Sequence, residues 1–336
     1  MRKVSLKDIA RLAGVSPSTV SFVLNGKAAK MRISQQLADK IMQVAQSEGY
    51  HPNQIAVSLR TGKSKMLGLV VESISGAFFA SLTKVIEEEA SKYGYRVVYC
   101  ATENDADKGQ ELIKMLSLSQ VDGYIITPTK GMETVINQLV IQNRPLVLMD
   151  SYFPEIDVPH VSVDNYGGVA EGMEHLINKG YKKIAFVTVD LELVQIQQRL
   201  SAYKDALKKH HIPFDENLLI KIGYNQDREE AIAQLAEFLK QDSKPEAIFF
   251  ATNYLGLLGL ESINRVGLKI PNELAVISFD DHEVFRLLPP GITSIRQPVE
   301  DIARTAIELL MSRLGKHSTE NDKIEIPASL IVRGTT

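Results

Sequence analysis

Short aliphatic strands alternate with helices along most of this chain, and the alternation occurs twice. The first series predicts strands at 67–71, 96–100, 124–126 and 146–148, separated by helices at about 78–92, 107–119 and 131–142. The second predicts strands at 184–187, 218–222, 247–250 and 275–279, separated by helices near 194–208, 226–241 and 254–264. Strands that are apolar throughout and joined through helices are typical of parallel sheets. The repeat therefore predicts a body of two doubly wound α/β layers.

The first fifty residues follow a different pattern, that of two short helices around a tight turn. Ser5 with Asp8 three residues later resembles a capping box at the start of a helix. Gly14 supplies the turn, because a residue without Cβ can take positive φ. Ser16 is a second N-cap, and Pro17 takes the first helical position. This arrangement predicts an all-α helix-turn-helix head whose second helix enters a DNA groove.

The second of these helices has an inner and an outer face. Val20, Val23 and Leu24 fall on the inner side, and a third amphipathic helix over 34–47 completes a small core. The outward positions are Pro17, Ser18, Ser21, Phe22 and Asn25. Any helical hairpin can show such caps, so the DNA-binding interpretation depends on further evidence.

That evidence is the separation of charge along the chain. Residues 1–65 carry eleven Lys or Arg and three Asp or Glu, a net charge of about +8. The whole chain of 336 residues has a net charge of −3, so the remainder carries about −11. A basic head on an acidic body is typical of a protein in which one module neutralises DNA phosphates.

Two segments resemble a known family. Residues 5–25 and the run YHPNQIAVSLRTG at 50–62 are similar to the head and hinge of the LacI/GalR family of bacterial transcriptional regulators, and the similarity continues to Arg333. The insert at 25–34 most resembles fructose-repressor-type members. The resemblance implies a periplasmic-binding-protein-like body, with two lobes joined by three crossings near residues 162, 293 and 327. We therefore expect a head at 1–50, a hinge helix and linker at 51–64, a first lobe at 65–162 plus 294–325, and a second lobe at 163–293 plus 326–334.

The same resemblance implies which residues contact DNA. They are Lys7, Ser16, Pro17, Ser18, Thr19, Ser21, Phe22, Asn25, Arg32, Asn53, Ala56 and Leu59. Phe22 cannot make a bidentate base contact, so it either meets a thymine methyl group or packs inward. Lys3, Lys7 and Arg32 are candidates for phosphate contacts. Leu59 is expected to wedge into the minor groove beside Ala56, the alternative being a plain linker.

The resemblance also implies which residues contact an effector, most of them polar residues just after predicted strands. The candidates are Phe78, Phe79, Asp150, Arg199, Asn253, Asp280 and Gln297. One arginine, carboxylates and amides can together bond several vicinal hydroxyls, which suits a sugar. Tyr254 stands where the family commonly has an aspartate, which removes one acceptor. A phosphate clamp is not evident beyond Lys130 and Arg286, so a neutral sugar ranks above a sugar phosphate.

The compartment and the oligomeric state are predicted from the single cysteine and from segments that the sequence lacks. Cys100 lies in an apolar run, which predicts a buried, inert thiol in a reducing compartment. The N-terminus has no secretory signal, and no run approaches the ~18 apolar residues of a transmembrane helix. We expect a cytoplasmic protein with no membrane partner. Tetrameric family members carry a C-terminal leucine-heptad extension that this chain lacks, so we expect a homodimer.

Three functions compete at this stage. A ligand-controlled repressor binding a near-palindromic operator accounts for both the head and the body. A sugar-binding transport receptor has the same two lobes but needs a signal peptide and no basic head. An enzyme needs a motif such as G-x-G-x-x-G or a P-loop after a predicted strand, and the sequence has neither. The seven histidines show no metal spacing, so we expect no cofactor, no metal and no catalytic residues.

Overall fold

The computed structural model describes residues 4–50, 58, 61–241, 244–315 and 323–336. It divides the chain into two compact units, 1–64 and 65–336. No helix in the described parts of the chain is long and apolar enough to cross a membrane.

The head contains three helices, α1 (Leu6–Ala13), α2 (Pro17–Leu24) and α3 (Gln35–Ser47). The predicted capping box is present, with Asp8 N donating to Ser5 Oγ (3.3 Å) and Ser5 N to Asp8 Oδ2 (3.0 Å). Gly14 has a φ of 73°, as the turn requires. Ser16 caps α2 by accepting from Thr19 N at 3.2 Å. The sequence-based prediction of a helix-turn-helix is therefore confirmed.

A small apolar core holds the three helices together. Its buried residues are Ile9, Ala10, Ala13, Val20, Val23, Ala38, Ile41 and Ala45. Leu24 packs against this core from its edge. The hinge residues Asn53, Ala56 and Leu59, like Lys3 before α1, lie outside the described residues.

The body contains two six-stranded sheets. In the first, the strands lie in the order β11 (Lys323–Ile326), β5 (His160–Val163), β4 (Leu146–Met149), β3 (Gly123–Ile126), β1 (Met66–Val71) and β2 (Arg96–Ala101). In the second, the order is β12 (Ser329–Ile331), β10 (Thr293–Arg296), β9 (Ala275–Phe279), β8 (Ala247–Phe250), β6 (Ile184–Val189) and β7 (Leu219–Ile222). Adjacent strands are parallel except β10 and β12, which are antiparallel. The doubly wound fold class is confirmed.

Helices cover both sheets. They are α4 (Ala77–Lys92), α5 (Ala106–Leu118), α6 (Glu133–Ile141), α7 (Asn165–Asn178), α8 (Val194–Lys209), α9 (Arg228–Leu239), α10 (Asn253–Val266), α11 (Glu283–Leu287) and α12 (Val299–Leu314), with a 3-10 turn at Glu216–Leu218. Most central strands are buried along their whole length, as parallel strands between helices must be. Cys100 is buried on β2, as predicted.

The chain passes between the sheets three times: after β5, after β10, and between β11 and β12. Strand pairing moves the expected boundaries by a few residues. Val163 and Ile326 pair with each other in the first sheet, although both were expected in the second lobe. Residues 294–296, expected in the first lobe, belong to β10 of the second sheet because β10 pairs with β9 and β12. We call the first sheet with its helices the first lobe, and the second sheet with its helices the second lobe.

Candidate functional site

A cavity of about 420 Å³ lies between the two lobes, at the carboxyl ends of their strands. We call it the interlobe cleft. All of the effector residues predicted from the sequence line it: Phe78, Phe79, Asp150, Arg199, Asn253, Asp280 and Gln297. They come from segments more than 200 residues apart, and the sheet topology brings them together. Their contact with a ligand stays a prediction.

The cleft also contains polar residues that sequence reasoning missed or only touched upon. Glu72 follows β1, Glu103 follows the end of β2, and Tyr224 follows β7. The rule that ligands bind beyond the carboxyl ends of parallel strands points to these positions too. Gln195, on the first turn of α8, is 4% exposed and lines the cleft as well.

Arg199 is the cation of the cleft, and α8 carries it inward. Its side chain is 3% exposed. Nε donates to Asn165 Oδ1 at 2.9 Å, Nη1 donates to the Ala251 carbonyl at 2.7 Å, and the guanidinium lies 3.6 Å from the centre of the Phe279 ring. These contacts hold the guanidinium plane, and they leave Nη2 without a protein partner among the described residues. Nη2 is therefore available to a ligand.

Two aspartates occupy equivalent strand ends in the two lobes. Asp150 follows β4 with a φ of 68°, and Asp280 follows β9 with a φ of 67°. This left-handed conformation is uncommon for residues other than glycine and is often retained at functional sites. Asp280 accepts hydrogen bonds from Gln297 Nε2 (2.5 Å) and from the backbone N of Asn253 (3.2 Å). Its side chain is therefore positioned from two directions.

The surroundings shift the protonation of two carboxyl groups. Burial is the main cause that raises the pKa of Asp150 to about 6; Asp280 adds to the rise and Arg199 opposes it. Burial likewise raises the pKa of Glu72 to about 7, reinforced by the nearby charges of Asp150 and Glu103. Perturbed pKa values of this kind are concentrated at functional sites.

Three polar atoms that line the cleft are buried without a hydrogen-bond partner. They are Gln195 Oε1, Gln297 Oε1 and the hydroxyl of Tyr254. An unpaired buried polar group costs roughly 1–3 kcal/mol, so a ligand that supplies partners gains this amount. Phe78 and Phe79 provide an apolar wall, with their rings edge to face at 5.1 Å.

The two basic residues proposed as a phosphate clamp are not part of the cleft lining. Lys130 forms an ion pair with Glu192, and both side chains are exposed. Arg286 is exposed and lies 3.6 Å from Glu283 on the same helix. Among the residues that line the cleft, all of which are in the described chain, Arg199 is the only lysine or arginine.

On the head, α2 presents the residues expected to meet DNA. Ser16, Pro17, Ser18 and Asn25 are exposed, and Thr19, Ser21 and Phe22 are partly exposed. Lys7 and Arg32 are also exposed. Phe22 is not among the described side chains that pack against the head core, which favours the outward of the two alternatives. Asn25 Nδ2 donates to the Ser21 carbonyl at 2.6 Å, so one of its donors is already in use.

Comparison with known proteins connects both units to one family. Residues 5–53 match the model for bacterial regulatory proteins of the lacI family, and residues 173–336 match a periplasmic binding protein-like domain. The ribose operon repressor of Haemophilus influenzae is 31% identical over 317 residues, which cover 94% of this chain and 93% of that protein. The transcriptional regulator KdgR of Bacillus subtilis is 30% identical over 333 residues, which cover 98% of this chain and 96% of that protein.

Two solved structures of transcriptional regulators are similar to this chain along nearly its whole length. A complex of the transcriptional regulator CelR with cellobiose has a TM-score of 0.73 at 25% identity and covers 99% of this chain and 100% of that chain. The lac repressor dimer bound to operator and the anti-inducer ONPF has a TM-score of 0.87, covering 100% of this chain and 99% of that chain, and at 22% identity it shows the fold alone. These relatives are transcriptional regulators and not enzymes. This chain belongs to the lacI family of bacterial regulatory proteins.

Proposed function

We propose that this chain represses transcription from a near-palindromic operator, and that an unphosphorylated carbohydrate in the interlobe cleft controls its operator affinity. As a member of the family the chain is a sequence-specific DNA-binding regulator. Such a protein works in the bacterial cytoplasm and, as a homodimer, presents two heads to the two half-sites of the operator. The observation that carries the effector proposal is the convergence of all seven predicted effector residues on one cavity.

The chemistry of the cleft suits a polyhydroxylated ligand. Asp150 and Asp280 accept hydrogen bonds, Arg199 Nη2 donates them, and the amides of Asn253 and Gln297 can do both. Phe78 and Phe79 add apolar area to the lining, and such a mixture of an apolar wall and few convergent polar groups is typical of small-molecule sites. The relatives point the same way, since one regulates a ribose operon and another was solved with cellobiose.

The charges of the cleft argue against a phosphorylated effector. A phosphate needs cations or several backbone N–H groups, and guanidinium groups bind it best in a bidentate manner. Arg199 already uses Nε and Nη1 within the protein. Lys130 and Arg286 lie outside the lining. A dianion placed among Glu72, Asp150 and Asp280 is repelled.

On the DNA side we propose the exposed face of α2 as the reader of the major groove. Ser18 and Phe22 are the candidate base contacts, with the Phe22 ring directed at a thymine methyl group. Lys7, Arg32 and the N-terminal amides of α2 are proposed to hold phosphates and set the register. The remaining proposed contacts are Ser16, Pro17, Thr19, Ser21, Asn25 and, in the hinge, Asn53, Ala56 and Leu59.

Coupling between ligand and DNA is proposed to act by a shift between two arrangements of the lobes. A ligand that bonds Asp150 of the first lobe and Asp280 of the second binds best when these lobes are close. It can shift the equilibrium only by its difference in affinity for the two states, typically about 1–3 kcal/mol.

The test is operator selection with the full-length protein, followed by binding to the selected operator in the presence of unphosphorylated sugars and sugar phosphates. We expect a near-palindromic site whose affinity one unphosphorylated sugar changes at least tenfold, or about 1.4 kcal/mol. Arg199→Gln is expected to keep operator affinity without ligand and to lose the response. A response to sugar phosphates alone contradicts the effector proposal, and the absence of a preferred site contradicts the operator proposal.

A further inference from the structure

The interlobe cleft contains more acidic groups than its one cation can neutralise. Glu72, Glu103, Asp150 and Asp280 all line it, against Arg199 alone. Arg199 is held at the back of the cleft by Asn165 and the Ala251 carbonyl and lies over Phe279. Only Nη2 is therefore left to interact with the acidic groups or with a ligand.

Glu72 is the acidic group with the least compensation. It is partly buried at the end of β1, and no ion pair to it occurs among the described residues. The groups that face it are the acids Asp150 and Glu103, the side chains of Asn104 and Tyr224, and, farther away, Tyr254 and Arg199. The Tyr224 hydroxyl donates to Glu103 Oε2 at 3.5 Å. Burial and the charges of the two acids disfavour the ionised form of Glu72, and only neutral groups nearby favour it.

The unpaired polar atoms of the cleft indicate which hydrogen-bonding groups a ligand has to supply. Gln195 and Gln297 are 4% and 7% exposed, and the atom left without a partner in each is the amide oxygen, which can only accept. Together with the four carboxyl groups, these amide oxygens make the cleft rich in hydrogen-bond acceptors.

A ligand that fits such a site is rich in donors. A sugar hydroxyl supplies one donor, whereas a protonated amine supplies three donors, no acceptor and a positive charge. We propose that the effector is an amino sugar, or a similar polyol with a protonated amine, whose ammonium group pairs with Glu72 and is shared with the neighbouring acceptors of the cleft. This inference rests on the proposed function and narrows its ligand class.

Calorimetric titration of the full-length protein tests this at pH 6.5, where a sugar amine is protonated. The probes are glucosamine, galactosamine and mannosamine, each compared with glucose, galactose and mannose, and with the N-acetylated form. We expect one hexosamine to bind at least tenfold more tightly than its matched hexose and its N-acetylated form. Its binding should also release protons, seen as a difference in heat between phosphate and HEPES buffers, because the ammonium group favours ionised Glu72.

Glu72→Gln is the decisive variant, since it keeps size and hydrogen bonding but removes the charge. It should lower hexosamine affinity at least tenfold, abolish the proton release and change hexose affinity less than threefold. The matched control is Glu155→Gln, an exposed glutamate in a loop of the first lobe, which should change nothing.

Two other outcomes contradict the amine proposal or the role of Glu72. If no hexosamine binds, or if hexoses bind as tightly as hexosamines, the amine proposal is overturned. The proposed function survives that result when a neutral sugar still changes operator affinity. If Glu72→Gln leaves the preference intact, the assignment to Glu72 is wrong.

Discussion

Glu72 should make the unliganded protein less stable as the pH rises, and its replacement by glutamine should remove this effect. Burial, together with the charges of Asp150 and Glu103, raises the pKa of this carboxyl group from an ordinary 4.5 to about 7. The folded protein then holds the proton more tightly than the unfolded chain does. The stabilisation is fully present below pH 4.5 and is lost as the pH rises through 7.

The magnitude follows from the size of the shift. Each pKa unit corresponds to about 1.4 kcal/mol, so ionised Glu72 costs on the order of 3 kcal/mol at pH 8. Glutamine keeps the shape and can still accept a hydrogen bond without carrying charge. Glu72→Gln should therefore be more stable than the wild type at pH 8 by up to about 3 kcal/mol. At pH 5 most of this difference disappears.

Thermal unfolding of the full-length protein without ligand at pH 5 and pH 8 measures this difference in stability between Glu72→Gln and the wild type. For a unit of this size 1 kcal/mol corresponds to roughly 2–4 °C, so the unfolding temperature of the variant should exceed that of the wild type by about 5 °C or more at pH 8. Glu155→Gln makes the same chemical change on an exposed side chain and should not differ from the wild type at either pH. A variant that is equally stable or less stable than the wild type at pH 8 refutes the reasoning, because Glu72 is then compensated in the folded state.

Three further changes have defined outcomes. Ser16→Ala removes the N-cap of α2 and should cost about 1 kcal/mol of head stability and weaken operator binding, as measured by circular dichroism and fluorescence anisotropy. Arg333→Met breaks the paired hydrogen bonds to Asp281 (2.7 and 2.8 Å), and both side chains are largely buried. The substitution should lower the stability measured by thermal unfolding by about 3–5 kcal/mol. Adding Asp281→Leu should recover part of this loss, and no recovery contradicts the ion-pair explanation. Phe22→Ala should lower operator affinity at least tenfold with little change in unfolding temperature, whereas a clear loss of stability means that the ring packs inward.

Local signals in the sequence predicted many elements closely. The strands expected at 247–250 and 275–279 have these bounds in the structure, and Ser5, Ser16 and Ser34 all cap helices. Capping and periodicity depend on residues within one or two helical turns, so they can be read without knowledge of the fold. The resemblance to the family supplied the seven effector residues, which neither composition nor spacing identifies.

Helix α7 shows why other elements were missed. Its segment contains Gly167, Gly168 and Gly172, and glycine disfavours helices when considered locally. In the fold, a Cβ at Gly172 would lie 2.7 Å from the Phe249 ring, and one at Gly168 would lie 2.9 Å from Ile295. The glycines let α7 approach the second sheet closely. Only the packed structure shows this advantage.

What the sequence determined by itself is the type of each module: a basic helix-turn-helix head and a body of two parallel sheets. The tertiary structure decided what the cleft contains. Glu103 and Tyr224 come from different lobes, and no local pattern indicates that a carboxyl group after β2 meets a tyrosine after β7. The burial that raises the pKa of Glu72, and the amide oxygens left unpaired in the same cleft, are properties of the assembled lobes. Electrostatics and hydrogen-bond satisfaction depend on which groups share a water-poor space, and folding alone brings those groups together.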